Sequence, residues 1–247
     1  MNELVLTTFF AALLTAFATG LGALPFIFVP HLSPLWQARA AALAGGMMLS
    51  ASVFSLSGEA LRRGQAWELA LGMLAGALFL SVTSRLLEGR HWKISGLSEE
   101  GSRKGILVLV AMSIHSFPEG VAIGVSYATG EMEFGLLMAL VIAAHNVPEG
   151  LAISLPLRAR GVSVIRCFYY SVLSSIPQPI AAVPAVIFVS FFRSLLPAGL
   201  GFAAGAMIFL VVAELLPESL DHESCGPKET AWWLVVGTAL MLVLAVS

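Results

Sequence analysis

Eight apolar stretches account for most of this sequence and restrict its fold more than any other feature. A helix needs about 20 predominantly apolar residues to cross a hydrocarbon layer of about 30 Å. Only 11% of the residues are charged, whereas ordinary soluble domains have about 25%. We therefore predict an all-α integral membrane protein whose single domain covers residues 1–247. Its eight transmembrane helices, called spans 1 to 8, lie at about 4–29, 36–60, 66–88, 104–129, 134–157, 163–191, 197–220 and 229–247.

The loops between the spans carry lysine and arginine unevenly. Counted by alternate loops, three of these residues lie on one side and ten on the other. The positive-inside rule assigns the richer side to the cytoplasm, so both termini are expected to be extracytoplasmic. We expect a multi-pass protein surrounded by the lipid bilayer of the cell (inner or plasma) membrane. The formal net charge of -2 leaves no basic face for binding nucleic acid through counterion release.

A six-residue motif occurs twice. HSFPEG at 115–120 recurs as HNVPEG at 145–150, which is 30 residues later and on the next span. A short turn joins spans 4 and 5, so they run antiparallel. Equal motifs on antiparallel spans indicate a two-fold axis in the membrane plane. A shorter likeness between 44–47 and 204–207 extends this symmetry to a 3+2+3 inverted repeat.

Each motif places a histidine and a glutamate on one helix face. His115 and Glu119 are four residues apart, as are His145 and Glu149, and side chains at this spacing are neighbours on a helix. Each histidine lies about 16 Å along its span at 1.5 Å per residue. An isolated carboxylate at this depth costs at least about 2.5 kcal/mol, and the interior of neither span carries lysine or arginine. A divalent cation can supply the missing charge, and the two imidazoles with two carboxylates suit tetrahedral Zn²⁺. Cd²⁺, Fe²⁺, Mn²⁺ and Co²⁺ also accept such donors.

A proline precedes the glutamate in both motifs. Pro118 and Pro148 have no amide hydrogen, so each removes a helical hydrogen bond and kinks its span beside the ligands. Freed carbonyls at mid-membrane are tolerated where they line a cavity. The alternative to a metal site is a His–Glu pair on each helix that neutralises itself. That alternative explains neither the prolines nor the duplication.

Three further polar residues are candidates for a transport pathway. Glu214, near the inner end of span 7, either guides cations toward the cytoplasm or only reaches the interface. Glu59, near the outer end of span 2, either recruits cations or pairs with Arg62 and Arg63. His222 lies in the loop after span 7, where it either receives an ion or is an ordinary solvated residue.

The paired motifs on adjacent spans resemble those of the ZIP (ZRT/IRT-like protein) metal transporters. The segments ATGLGALP at 18–25 and ELLPE at 214–218 are similar to the bacterial GufA-like branch. The resemblance implies import of a divalent transition metal, with zinc the leading candidate, into the cytoplasm by alternating access. It assigns the metal site on spans 4 and 5 to four residues and gives a pathway role to Glu214. The four are His115, Glu119, His145 and Glu149.

Some ZIP members have a second, adjacent metal site. It uses the residue after each motif histidine and an acidic residue on span 6. The corresponding positions here are Ser116, Asn146 and Gln178, which are all uncharged. A neutral set offsets a second divalent charge poorly, so we predict one strong site and only a weak second one.

Two other functions use a buried metal site. An intramembrane zinc-dependent hydrolase requires an open coordination position and a general base. The sequence has neither HExxH nor GxSxG, and its one aspartate is Asp221 in a loop, so we predict that the protein is not an enzyme. A metal exporter would use the same site in the opposite direction. The sequence leaves the driving ion and the oligomeric state open, and a homodimer is one state that it allows.

Overall fold

The computed structural model describes residues 2–29, 33, 35–88, 99–159, 161–220 and 225–246, and the side chains of these residues except 87, 88, 99–112, 245 and 246. The candidate pathway residue His222 lies outside the described residues. Every regular element in the described ranges is helical. The α-helices are α1 (Asn2–Leu21), α2 (Pro25–Phe28), α3 (Leu35–Ser50), α4 (Ser57–Arg63), α5 (Ala66–Glu88), α6 (Glu99–Ala128), α7 (Met132–Ala159), α8 (Val164–Ser174), α9 (Pro177–Phe191), α10 (Leu196–Leu210), α11 (Leu216–Leu220) and α12 (Pro227–Val246).

Six helical segments are long and apolar enough to cross a membrane. Each begins and ends within a few residues of a predicted span, and together they match spans 1, 2, 3, 5, 6 and 7. The helices α6 and α12 coincide with spans 4 and 8. The prediction of an all-α, multi-pass membrane protein is therefore confirmed. The six segments are Asn2–Phe28, Leu35–Arg63, Ala66–Leu86, Met132–Ala159, Val164–Phe191 and Arg193–Leu220.

Two of these segments contain a π-helical turn at which the chain is locally wider than an α-helix. The turn Ala51–Leu56 joins α3 to α4, and the turn Val211–Leu215 joins α10 to α11. Such turns are frequent at functional sites. The second turn contains Glu214, which is one of the candidate pathway residues.

The helices pack as two groups. In the first group α1, α6, α7, α8 and α9 are linked by contacts. In the second group α10 packs on α4 and α5, α3 packs on α11 and α12, and the two π-helical turns contact both α3 and α10. The groups meet where α3 packs on α7 and where α10 packs on α6.

Backbone-to-backbone contacts at glycine hold each group together. In the first group Gly150 of α7 lies against the carbonyl of Thr19 on α1, and in the second group Gly205 of α10 lies against the backbone of Met73 on α5. A Cβ atom at either glycine would collide with backbone, which cannot move aside as a side chain can. Small residues that let helix backbones approach closely are typical of packing in membranes.

The outer surface of the bundle is apolar, whereas its interior contains polar side chains. Leu14, Leu74 and Val243 are more than 65% exposed. By contrast Glu119, Asn146 and Gln178 are completely buried. This distribution suits a protein whose surroundings are lipid, and it concentrates hydrogen-bonding groups between α1, α6, α7 and α9.

Candidate metal centre

Three potential metal ligands meet in the interior of the first group. They are Glu119 of α6 and His145 and Glu149 of α7, and one ligand atom from each lies within 4.8 Å of the other two. His145 and Glu149 are one helical turn apart and therefore share a face of α7. The turn after α6 reverses the chain and brings Glu119 opposite them, so that Nε2 of His145 is 3.3 Å from Oε1 of Glu119.

Proline and glycine flank both carboxylates. Pro118 and Pro148 lie inside continuous helices and each removes one backbone hydrogen bond next to a ligand. Gly120 lets α6 reach the backbone of Gln178 on α9, and Gly150 lets α7 reach α1. The helix segments that carry Glu119 and Glu149 are therefore in direct backbone contact with α9 and α1, respectively.

Gln178 holds the carboxylate of Glu119. Its Nε2 donates to Oε2 of Glu119 at 2.5 Å, and its Oε1 accepts from the hydroxyl of Thr15 at 2.5 Å and from Nδ2 of Asn146 at 3.3 Å. Asn146 also donates to the carbonyl of Thr15 at 2.8 Å. One buried network thereby joins α1, α6, α7 and α9 at a potential metal ligand.

Ser116 belongs to a different chain of hydrogen bonds. Its hydroxyl donates to that of Ser175 at 3.5 Å, and the hydroxyls of Ser175 and Thr19 are 2.7 Å apart. Of the three positions expected to form a weak second site, Asn146 and Gln178 are therefore in direct contact, whereas Ser116 pairs with hydroxyl groups. The weak second site remains a prediction.

His115 faces Glu214. Its Nε2 lies 2.6 Å from Oε2 of Glu214, and Oε1 of Glu214 accepts from the hydroxyl of Ser84 at 3.2 Å. Since Glu214 belongs to the second group, this contact crosses the boundary between the groups. Three of the four ligands expected from the motifs thus lie together, and the fourth is hydrogen bonded to a candidate pathway residue.

A cavity of about 200 Å³ opens beside these side chains. His115, Glu149 and Glu214 line it, as do Gln37 and Glu218. The last two are joined by a hydrogen bond of 2.8 Å, and Glu218 is exposed. The cavity therefore connects the ligands with the end of the bundle at which α3 begins and α11 ends.

Within the described part of the chain, several buried polar atoms lack a hydrogen-bond partner, and three of them belong to histidine and glutamate residues of the two motifs. The three are Nδ1 of His115, Nδ1 of His145 and Oε1 of Glu149. A buried polar atom left unpaired costs about 1–3 kcal/mol. Imidazole nitrogens and carboxylate oxygens are ligands for Zn²⁺ and related cations, so the unpaired atoms fit a site for a transition metal ion.

Glu59 lies in α4 and is paired with arginine. It is buried, with Nη2 of Arg62 at 2.6 Å, and it also forms an ion pair with Arg63. Arg63 reaches further, to the carboxylate of Glu131 and to the carbonyl of Thr129 at 3.3 Å. Glu59 thus takes part in an ion-pair cluster that joins α4 to the turn between α6 and α7.

No sequence pattern indicates a role for Thr15 or Gln37 at the site. Thr15 is one of several threonines in an apolar helix, and its contact with Gln178 spans 163 residues of sequence. Gln37 lies in a span whose interior is apolar, and its partner Glu218 is 181 residues away. No local pattern marks such residues, because their role comes from a distant partner.

Comparison with known proteins places the chain in a family. The family model described as ZIP Zinc transporter matches residues 90–245. Zinc transporter GufA of Myxococcus xanthus is 39% identical over 249 residues, which cover 96% of this chain and 97% of that protein. Zinc transporter ZIPB of Bordetella bronchiseptica is 36% identical over 245 residues, covering 92% of this chain and 76% of that protein.

A longer relative also matches. A putative zinc transporter of Arabidopsis thaliana is 42% identical over 234 residues, and the match covers 93% of this chain but 37% of the plant protein. The chain thus corresponds to about a third of that relative and to nearly the whole of the Myxococcus protein. The resemblance inferred from the paired motifs is confirmed, and the chain belongs to the ZIP zinc transporter family.

Proposed function

We propose that this chain carries a divalent transition metal ion, with Zn²⁺ as its main substrate, across the membrane. The observation that carries the proposal is the group formed by Glu119, His145 and Glu149, three buried ligands within 4.8 Å of one another. Two carboxylates so close together in an apolar bundle are strongly stabilised by a compensating cation. The relatives described above are zinc transporters by name, which supports zinc as the substrate.

His115 is the fourth ligand of the proposed site. It lines the same cavity as Glu149, and rotation of its side chain away from Glu214 would direct the imidazole toward the other three ligands. The site would then have two nitrogen and two oxygen donors, the tetrahedral arrangement that Zn²⁺ prefers. Two carboxylates and one divalent ion are together neutral, so the loaded site suits an apolar interior. The same donors admit Cd²⁺, Fe²⁺, Mn²⁺ and Co²⁺ as further substrates.

Transport by alternating access fits the division into two helix groups. The first group carries the four proposed ligands, and the second supplies Glu214 and part of the cavity wall. Backbone contacts at glycine lie within the groups. Between the groups, Gly199 of α10 meets α6 only at the side chain of Val125, which is a looser contact than one between backbones. We propose that the groups move relative to each other and expose the metal first outside and then inside.

We propose inward transport on the resemblance to the ZIP transporters, and we take the membrane arrangement from the predicted topology. With eight spans in a 3+2+3 inverted repeat and both termini extracytoplasmic, the cavity between Glu149 and Glu218 faces the cytoplasm. The π-helical turns in spans 2 and 7 support this repeat, since they occupy corresponding segments. Import through the cell membrane is our proposal, with Glu214 on the pathway between the metal site and the cytoplasm. A homodimer remains a prediction.

Of the two alternative functions, the intramembrane hydrolase is disfavoured and the metal exporter is not. Membership of a transporter family indicates that the protein is not an enzyme, which removes the reason for an intramembrane hydrolase. An exporter would use the same site, and only the direction of flux distinguishes it from an importer.

Metal uptake into proteoliposomes tests the proposal. We expect Glu149→Gln, which keeps the shape of the side chain and removes its charge, to reduce initial Zn²⁺ uptake to the level of empty liposomes. Glu133→Gln is the matched control, because Glu133 lies on the same helix but is exposed in its first turn. Wild-type rates for Glu149→Gln would contradict the site. Net flux from the cytoplasmic to the extracytoplasmic face in oriented vesicles would favour export.

A further inference from the structure

We propose that Gln178 sets the coordination of the metal by holding Glu119 as a ligand that binds through one oxygen, and so favours Zn²⁺ over ions that take more oxygen ligands. This inference rests on the proposed metal site and adds a determinant of specificity to it. Gln178 acts through Glu119 and is therefore a positioning residue.

The two oxygens of Glu119 have different partners. Oε1 lies 3.3 Å from Nε2 of His145, in the group of metal ligands, whereas Oε2 accepts a hydrogen bond of 2.5 Å from the amide of Gln178. A carboxylate that chelates a metal must turn both oxygens toward it. The bond from Gln178 opposes this rotation and leaves Oε1 as the coordinating atom.

The amide of Gln178 has only one favourable orientation. Its oxygen accepts from Thr15 and Asn146, so its nitrogen faces Glu119. Exchanging the two ends would place the amide oxygen against the carboxylate of Glu119 and the amide nitrogen against Nδ2 of Asn146, which is repulsive on both sides. The side chain is completely buried, so water cannot replace these bonds.

The backbone of Gln178 is fixed as well. The residue lies between Pro177 and Pro179 at the start of α9, and Gly120 packs against its backbone. Gly120 directly follows Glu119 in α6. Donor and acceptor therefore sit on two helix segments in direct contact, and the hydrogen bond between them is preorganised before a metal binds.

Coordination number distinguishes the candidate ions. Zn²⁺ is most often four-coordinate in nitrogen and oxygen sites, whereas Mn²⁺ favours six ligands that are mainly oxygen. Two imidazoles and two carboxylates that each bind through one oxygen supply four ligands. A second oxygen from Glu119 would bring the site closer to the needs of Mn²⁺, so the loss of the Gln178 bond should weaken selection for Zn²⁺.

The test replaces Gln178 by methionine, which has a similar length and no amide. Loss of a partner that orients a metal ligand typically weakens metal affinity about 10- to 100-fold, and we expect a loss of this size for Zn²⁺. The ratio of Mn²⁺ to Zn²⁺ uptake in proteoliposomes should rise at least severalfold. In purified protein loaded with Co²⁺, the visible bands should weaken, because tetrahedral Co²⁺ absorbs more strongly than Co²⁺ with more ligands.

Two further variants separate positioning from general packing. Thr15→Val removes one anchor of Gln178 at constant shape and should shift the Co²⁺ spectrum and the uptake ratio in the same direction, even if Gln178→Met fails to fold. Ser154→Ala removes a buried contact with Ser171 on α8 that does not involve Glu119, and it should change neither readout.

The outcomes are distinct. If folded Gln178→Met has the Co²⁺ spectrum and the Mn²⁺ to Zn²⁺ uptake ratio of the wild type, the inference is overturned and the metal site still stands. If Gln178→Met does not fold, the same result in Thr15→Val overturns the inference. Equal shifts in Ser154→Ala would also overturn it, because they would show a general loosening. Absence of metal binding by the wild-type protein would instead contradict the proposed function.

Discussion

Nε2 of His115 lies 2.6 Å from Oε2 of Glu214, so that a motif histidine of the first helix group is hydrogen bonded to the second group. His115 therefore has two competing partners, Glu214 and the metal that we assign to Glu119, His145 and Glu149. Because the two partners lie on different groups, their competition couples metal binding to the relative position of the groups. Glu214 would draw His115 away from the metal as the ion leaves toward the cavity.

Removing Glu214 should therefore tighten metal binding and slow transport. A hydrogen bond to a charged group contributes about 1.5–3 kcal/mol, which limits the gain in affinity of Glu214→Ala for Zn²⁺ to about 10- to 140-fold. Competition titration with a Zn²⁺ indicator measures the affinity, and the maximal uptake rate should fall. Ser84→Ala, which keeps the His115 contact, is the control. Weaker binding by Glu214→Ala would mean that Glu214 is itself a ligand.

Replacing Gly150 by alanine should displace the adjacent ligand Glu149. The new Cβ would collide with the carbonyl of Thr19, and α1 and α7 would have to separate. We expect the Zn²⁺ uptake rate to fall at least about 10-fold, since a misplacement of about 1 Å in a binding site can cost 100-fold. Gly58→Ala is the matched control, because a Cβ at Gly58 meets no atom within 4 Å. Wild-type uptake by Gly150→Ala would show that the two helices separate without moving the ligand.

Zn²⁺ should raise the thermal stability of the purified protein. A ligand at 100 times its dissociation constant stabilises the folded state by about 2.7 kcal/mol. The increase in Tm should disappear in Glu119→Gln and persist in Glu133→Gln. Mg²⁺ at the same concentration should have little effect, because it prefers octahedral oxygen ligands. An equal increase of Tm in Glu119→Gln would place the bound zinc elsewhere.

The two arginines that pair with Glu59 should contribute unequally to stability. The side chain of Arg63 is 22% exposed and also contacts Glu131, whereas that of Arg62 is 74% exposed. Exposed ion pairs contribute about 0–1 kcal/mol, and leaving a buried charged group short of a partner costs about 1–3 kcal/mol or more. Arg63→Gln should thus lower Tm clearly more than Arg62→Gln in the same detergent. Equal changes would argue against a special role of Arg63 in joining α4 to the turn after α6.

The helices themselves could be predicted closely. The hydropathy pattern predicts span 5 at 134–157 and the helix is Met132–Ala159, while it predicts span 3 at 66–88 and the helix is Ala66–Glu88. The agreement has a physical cause, because a bilayer requires long apolar segments and requires each segment to satisfy its own backbone hydrogen bonds. Length and hydropathy are properties of consecutive residues, so they can be read without knowledge of the fold.

The motifs likewise determined which side chains share a helix face. His145 and Glu149 lie together on α7 because helical periodicity places residues four apart side by side. Periodicity acts within one helix and cannot decide what that face meets. Tertiary packing decided that His115 contacts Glu214 and that Gln178, held by Thr15, reaches Glu119. Those contacts depend on how closely neighbouring backbones approach and on how the helices are rotated, and these are properties of the assembled bundle.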